Sequence, residues 1–483
     1  MNRSRLLFIV SSSLLVLPML MALVVAADPG TGRRADWRKG ARGPHGERVE
    51  STEEDTFDTY LKYLKVFSEV LGLIRDTYVD EPNTDALMAG ALEGVTDAMD
   101  PFSVYVPGAA VPGYVKALAT GKSLSGLALL KERGATLVMS VEKGSPADAA
   151  GLKVGDLVAK LDGTSTRTTP LWEMQEALAG APGTKVTLEV IRLGAPVQAT
   201  FDLKPFTPPA VSLSQVGETP EMPETAENAA TPGTPGTPEN GAGAAGKKHA
   251  APARPAPLAP KPPQSAPNGQ GEKTATVLRI PSFRADTAEQ VRGALGPRGS
   301  AGRPPGSADA KLLIDLRGVS SGDPEHAYEV AKLFASGELG AMLQRKKELR
   351  RFESSDTPVW QGRLVVLVDH GTAGPAEVFA SVLHQRAGAE LVGERTLGYA
   401  GHRSTADLST GSRLFFTDAF YTGPDKKPIN EPLKPDLLVS ERNRTFLEKD
   451  VPMSELILRR GVRHLLDEPA LPASAGNAAK KAA

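Results

Sequence analysis

The sequence predicts an α/β protein that carries a smaller β-rich domain and a helical lead-in, and three observations predict it. Apolar runs of strand length alternate with helical stretches from 274 to 440, the pattern of an α/β layer with a mostly parallel sheet. Between 122 and 205 the pattern changes to short β-rich segments with little helix. The 48 glycines and 40 prolines gather in stretches that cannot build a core, so 483 residues divide into separate folded parts. Lys and Arg number 56 against 57 Asp and Glu, and a net charge of −1 argues against a nucleic-acid protein. The absence of cysteine excludes disulfide scaffolds, thiolate zinc sites and cysteine nucleophiles. No cofactor and no metal is expected.

Residues 1–27 begin with Arg3 and Arg5 and continue into an apolar run from Leu6 to Ala27. Val25 and Ala27 fit the small-residue rule of a signal-peptide cleavage site. About 20 apolar residues also suffice to span a bilayer, so residues 6–27 read equally as an uncleaved anchor. Either reading places the remainder in the periplasm or cell envelope. Residues 28–52, with Arg33, Arg34, Arg38, Lys39 and Arg42, form a basic solvated spacer. The region 53–121 is expected to be helical: Phe57, Tyr60, Leu61, Leu64, Phe67, Leu71, Ile74 and Tyr78 recur at spacings of three and four. Such a stripe packs on a core or pairs with a second subunit.

Residues 122–206 hold the β-rich unit, with short helical stretches at Ser145–Ala150 and Pro170–Leu178. In Gly144-Ser-Pro-Ala-Asp-Ala-Ala-Gly-Leu-Lys-Val-Gly-Asp156, Ser145 can cap a helix that Pro146 starts and Gly151 ends. This run and its flanking strands resemble a PDZ domain, which binds C-terminal peptides by adding a strand to a sheet edge. The resemblance implies that the amides around Ser125, Gly126, Leu127 and Ala128 receive the peptide carboxylate. Leu171, Met174 and Leu178 share a helical face and are either pocket lining or core.

Residues 207–273 contain 14 of the 40 prolines, and no Phe, Trp or Tyr occurs between Phe206 and Phe283. Such a stretch cannot bury enough apolar surface to offset its ordering entropy, so a disordered tether between the small domain and the core is expected. A shorter loop of this kind lies at Gly296–Ser307. Residues 274–468 form the α/β core, and 469–483 a flexible tail.

The order of these pieces resembles the C-terminal processing peptidases, or tail-specific proteases, whose fold is a ClpP/crotonase-like α/β core with an inserted PDZ domain. The matching segments are Asp100-Pro-Phe-Ser103, the PDZ run, Ile280-Pro-Ser-Phe283, Asp315-Leu-Arg317, Gly393-Glu-Arg-Thr396, Tyr421-Thr-Gly and Pro435-Asp436. Active members use a serine nucleophile at a helix start and a lysine base, with a glutamine four residues beyond. A serine hydroxyl needs a base, and lysine becomes one only when burial lowers its pKa from about 10.4 towards 7–8. Aligned on Glu377, the serine position is Gly374; the lysine position is Tyr399 and the glutamine position Arg403. Of the Gly-rich oxyanion loop only Gly322 remains, and Pro375 removes an N–H beside the expected oxyanion. Glycine offers no nucleophile, tyrosine is a base only as phenolate, and arginine stays protonated.

The expectation is therefore an exported PDZ protein of a serine peptidase family that does not cut. It would bind C-terminal tails of envelope proteins, or regulate an active relative, as a homodimer or heteromer. The competing expectation is a protease with a shifted nucleophile: Thr372 lies two residues from Gly374, and His370 or His402 would supply the base.

Overall fold

The computed structural model describes residues 53–120, 122–218, 274–296, 310–445, 448 and 451–467. The apolar N-terminal run, the basic spacer, most of the Gly296–Ser307 loop, residues 219–273 and the tail lie outside the described residues. Among the described residues no helix is long and apolar enough to cross a membrane.

Two helices lead in, α1 (Glu53–Thr77) and α2 (Thr84–Asp97). Asn83 caps α2 by accepting from the Ala86 N–H at 3.1 Å. The stripe on α1 does not pack on the core: Phe57, Tyr60, Leu64 and Phe67 are all exposed. The lead-in is also not helical throughout, because β1 (Val104–Val106) follows α2 and joins a sheet of the core. Asp100 makes that entry possible. It accepts from the N–H groups of Phe102 and Ser103, both at 2.8 Å, and from the Ser103 hydroxyl at 2.6 Å, which fixes a tight turn. Helices α3 (Val111–Thr120) and α4 (Lys122–Ser125) then lead into the small domain.

That domain is built from β2 (Leu127–Glu132), β3 (Ala135–Val141), β4 (Leu157–Leu161), β5 (Thr164–Ser165), β6 (Lys185–Arg192) and β7 (Ala195–Asp202). The strand order is β2-β3-β4-β6-β7 with β5 on β4, so β2 is an edge strand. The short helix α5 (Pro146–Ala149) is capped as expected, the Ser145 hydroxyl accepting from Asp148 N–H at 3.2 Å and Gly151 closing it at φ 79°. Helix α6 (Leu171–Leu178) packs on the sheet through Leu171, Met174 and Leu178.

The expected tether is corrected in extent and in place. Residues 212–217 form β8 (Ser212–Gly217), which pairs antiparallel with β9 (Thr274–Arg279) in a register that sets Gly217 opposite Thr274. The Pro-rich insert is therefore the loop of a hairpin inside the core. The small domain connects to the core directly, through residues 203–211. Leu213 and Val216, three positions apart, face opposite sides of the sheet and pack against its two apolar clusters; the proline count to either side concealed the strand.

The core continues with α7 (Thr287–Leu295), β10 (Lys311–Asp315), α8 (Pro324–Ala331), β11 (Gly337–Gln344), β12 (Lys347–Ser354), β13 (Arg363–Val368), α9 (Pro375–Arg386), β14 (Glu390–Gly393), β15 (Gly401–Asp407), β16 (Arg413–Tyr421), β17 (Leu437–Leu438) and α10 (Met453–Asp467). One sheet runs β17-β14-β13-β10-β9-β8, every pair parallel except β8 with β9. Helices α7, α8 and α9 share one apolar cluster on this sheet, and α10 packs in a second cluster with Leu313, Val365, Leu367 and Val392. The other sheet, β1-β16-β11-β12 with β15 on β16, is antiparallel. Asp315 and Arg317 are structural: burial opposes ionisation of Asp315, but bonds from Arg317 at 2.7 Å and the charge of Arg279 hold its carboxyl below the usual range.

Candidate functional site

The turn from β13 into α9 places the segment Gly371-Thr-Ala-Gly-Pro-Ala-Glu377 at the rim of a cleft between the small domain and the core. Gly374 is the residue before α9 and takes φ 56°. A β-carbon there would meet only the Tyr399 carbonyl, at 3.8 Å, so the position opens into space. Pro375 starts the helix with its preset φ and no N–H to leave unsatisfied.

Glu377, one turn in, is completely buried. Its carboxylate accepts from the N–H groups of Gly374 at 3.0 Å, Gly398 at 2.5 Å and Tyr399 at 2.9 Å, and from the Thr396 hydroxyl. Burial pushes its pKa up to about 7, against the pull of those donors. The carboxylate thus ties the segment 396–399 to the start of α9 and sets where Tyr399 lies. In the sequence Glu377 serves only to align the site; its place three positions after a helix cap, the signature of a capping box, is what points to this structural role.

The amides around Gly374 are all committed. Its own N–H goes to Glu377, Pro375 has none, Ala376 donates to Ala373 at 3.2 Å, and Glu377 donates to Gly374 at 3.1 Å. Across the cleft, Gly322 lies against the backbone of Phe283, at φ 115°; a β-carbon would come within 2.1 Å of the Phe283 oxygen. This glycine is required by close approach, in a bridge between the loop 318–322 and the Ile280–Phe283 segment. Ser321 on the same loop donates to Glu142 of the small domain at 2.6 Å, so the two domains touch beside the cleft.

Tyr399 occupies the cleft with its ring 4.6 Å from that of Phe102 and 5.3 Å from that of Phe420, and its hydroxyl bonds to Thr417. Burial raises the phenol further above its already high ordinary value, so it stays neutral. Arg403 lies near the start of β15 and donates to the Phe102 carbonyl at 3.0 Å.

The cleft has a volume of about 520 Å³. Ser125, Leu127, Ala128 and Leu178 line it from the small domain, and Gly322, Gly374, Tyr399 and Arg403 from the core. Eight residues singled out in the sequence are therefore brought together. Phe102, Leu118, Met139 and Gln175 join them without having been anticipated as site residues, since they come from one turn and three separate elements.

Six candidate residues fall elsewhere. Gly126 is absent from the lining; it takes φ 71° with its missing β-carbon facing Ser145. Leu171 and Met174 are 4% and 0% exposed and belong to the small domain's core, which settles the open choice at those two positions. Thr372 is 0% exposed, donates to the Leu316 carbonyl at 3.0 Å and accepts from Asp369 N–H at 3.0 Å. It is a turn-locking hydroxyl with no path to the cleft, and this corrects its candidacy as nucleophile. His370 faces Glu394 at 3.5 Å and His402 faces Asp418 at 2.7 Å, each with its own carboxylate.

A PDZ-like domain docked on an α/β peptidase core, with a cleft between them, defines the class. The model of peptidase family S41 matches residues 274–439, and a PDZ domain model matches 137–192. Through its core and over most of its length the chain is similar to the C-terminal processing peptidases of family S41. It is 25% identical over 377 residues to the carboxy-terminal processing protease CtpA of Bacillus subtilis, across 75% of this chain and 67% of that one. It is 26% identical over 384 residues to the carboxyl-terminal-processing protease of Synechocystis, across 78% and 77%. The fold is similar to that of the photosystem II D1 C-terminal processing protease, with a TM-score of 0.56 and 20% identity over 83% of this chain and 92% of that one.

Proposed function

We propose that this protein is a non-catalytic member of its family, exported to the cell envelope, that binds C-terminal peptide tails in the cleft between its two domains. The observation that carries this reading is the chemistry around Gly374. The residue at the helix start has no side chain, and the N–H groups from 374 to 377 are committed or missing. Tyr399 is held neutral at the lysine position, and Thr372 is sealed in its turn. A nucleophile, a base and oxyanion donors would all have to be supplied. Meanwhile β2 remains an open sheet edge beside a mostly apolar cleft, which suits an added peptide strand.

The test is incubation of the full-length protein with unstructured peptides ending in apolar residues, followed by mass spectrometry. The peptides are expected to bind and to remain whole. Cleavage by the unaltered protein that is blocked by a serine-reactive fluorophosphonate would overturn the reading.

The exposed face of α1 supports a second copy of the chain as partner. Phe57, Tyr60, Leu61, Tyr63, Leu64, Val66, Phe67, Val70 and Leu73 are each 38–66% exposed. A stable interface buries about 800 Å² per partner, which would enlist most of one face of this helix. An antiparallel pairing of two α1 helices would bring Lys62 towards Glu69 and Asp58 towards Arg75 of the other copy, twice by symmetry.

A further inference from the structure

Among the described residues that line the cleft, a single one carries a charge at neutral pH. Of its lining residues only Arg403 and Tyr399 ionise, and the Tyr399 phenol is neutral. Among the described residues Arg403 has no carboxylate within 4.0 Å, whereas Arg192, Arg279, Arg317 and Arg363 each have one. It bonds the Phe102 carbonyl and the Tyr114 hydroxyl, and of its five N–H donors these use only part. Ser320 lines the same cleft, and its buried hydroxyl has no hydrogen-bond partner.

An unpaired cation tolerates partial exposure to water, but not the arrival of an apolar ligand that strips the water away. The ligand must then bring its own anion, or binding leaves a desolvated charge. An apolar peptide tail brings one such anion whatever its sequence, the terminal carboxylate, and the guanidinium fork matches it. The loop at 125–128 is less free to do this work than the family resemblance implies. The Leu127 N–H already points at the Ser125 hydroxyl, at 3.3 Å, and Gly126 is excluded from the cleft.

We infer that Arg403 is the anion anchor of the cleft, receiving the terminal carboxylate of an apolar tail, with the Ser320 hydroxyl as a second donor. This rests on the tail-binding reading above and adds which group the tail is held by. It assigns to the position of a catalytic glutamine in active relatives a role in ligand capture.

The test uses full-length protein and a fluorescein-labelled peptide, a Gly-Ser repeat ending in Ala, Leu and Val, with its terminus either free or amidated. Anisotropy titrations are run on the unaltered protein, Arg403→Gln and Arg403→Lys. Amidation and Arg403→Gln are each expected to weaken binding by about tenfold to a hundredfold, the range for a charge-assisted bond. The two losses should not add: Arg403→Gln should no longer distinguish free from amidated peptide, and Arg403→Lys should still distinguish them. Unchanged thermal melting of both variants excludes misfolding as the cause. Free-acid peptide bound equally by Arg403→Gln and the unaltered protein would overturn the anchor alone. No binding of either peptide to any form would overturn the tail-binding reading, and the anchor with it.

Discussion

At the residue scale the site turns on Gly374 and Glu377. The space at Gly374 admits a β-carbon, but φ 56° is a conformation that side-chain-bearing residues adopt only under strain. Gly374→Ser should fold with a loss of roughly 1–3 kcal/mol. It should also stay unlabelled by a fluorophosphonate, because neither a base nor an oxyanion donor reaches it; efficient labelling would sink that account. Glu377 makes a pH prediction. Its folded pKa of about 7 exceeds the ordinary 4.5, so the folded state holds this proton more tightly than the unfolded chain. The associated stability is complete below about pH 4.5 and is lost as the pH rises through 7, about 3 kcal/mol in all. Urea midpoints measured from pH 5 to 8 should fall more steeply for the unaltered protein than for Glu377→Gln. Equal slopes would show that the carboxyl does not titrate in this window.

At the element scale, α1 is the part whose surroundings in a single chain do not satisfy its sequence. Its apolar residues cover most of its circumference, a pattern found on helices enclosed by others, yet only Leu71, Gly72 and Ile74 gain appreciable cover. Sedimentation velocity of the full-length protein should show a dimer, and Leu64→Asp or Phe67→Asp should yield folded monomers. A monomeric unaltered protein at micromolar concentration would remove the basis for pairing. The alternation of apolar runs with helical stretches also revealed α7, α8 and α9, but α10, beyond residue 440, was not read from the sequence. Strands were less legible. β1 and β17 have three and two residues, too short to show alternation, and their partners in β16 and β14 are far along the chain.

For the whole molecule, the position of the Pro-rich insert changes how the domains are joined. Gly217 pairs with Thr274, so the two ends of the insert already stand side by side. Replacing residues 218–273 with a two-residue Asn-Gly turn should leave the fold intact and stabilise it by roughly 2 kcal/mol, through reduced loop-closure entropy. Retained melting cooperativity with a higher midpoint is the expected result. A loss of structure would mean that the insert contributes contacts of its own. The domains meet instead at the cleft, where Glu142 bonds Ser321 and Val154 packs within 3.1 Å of the β-carbon position of Gly371.

The sequence by itself determined the two folded units, the helices, the capped turn at Ser145, and the residue types at 374, 399 and 403. Each of these is set by neighbours within about ten positions, where periodicity and capping chemistry act. Only the tertiary structure decided which of those residues share a cleft. It brought Leu178 to the cleft wall as well as the small domain's core and left Leu171 and Met174 in that core alone, although one helical face carries all three. It buried Thr372 in a turn and, among the described residues, placed no carboxylate within 4.0 Å of Arg403. These outcomes depend on long-range docking of the small domain, α3 and the core around one cavity. A single amphipathic face cannot say which of its members meets the second domain and which meets the sheet beneath it.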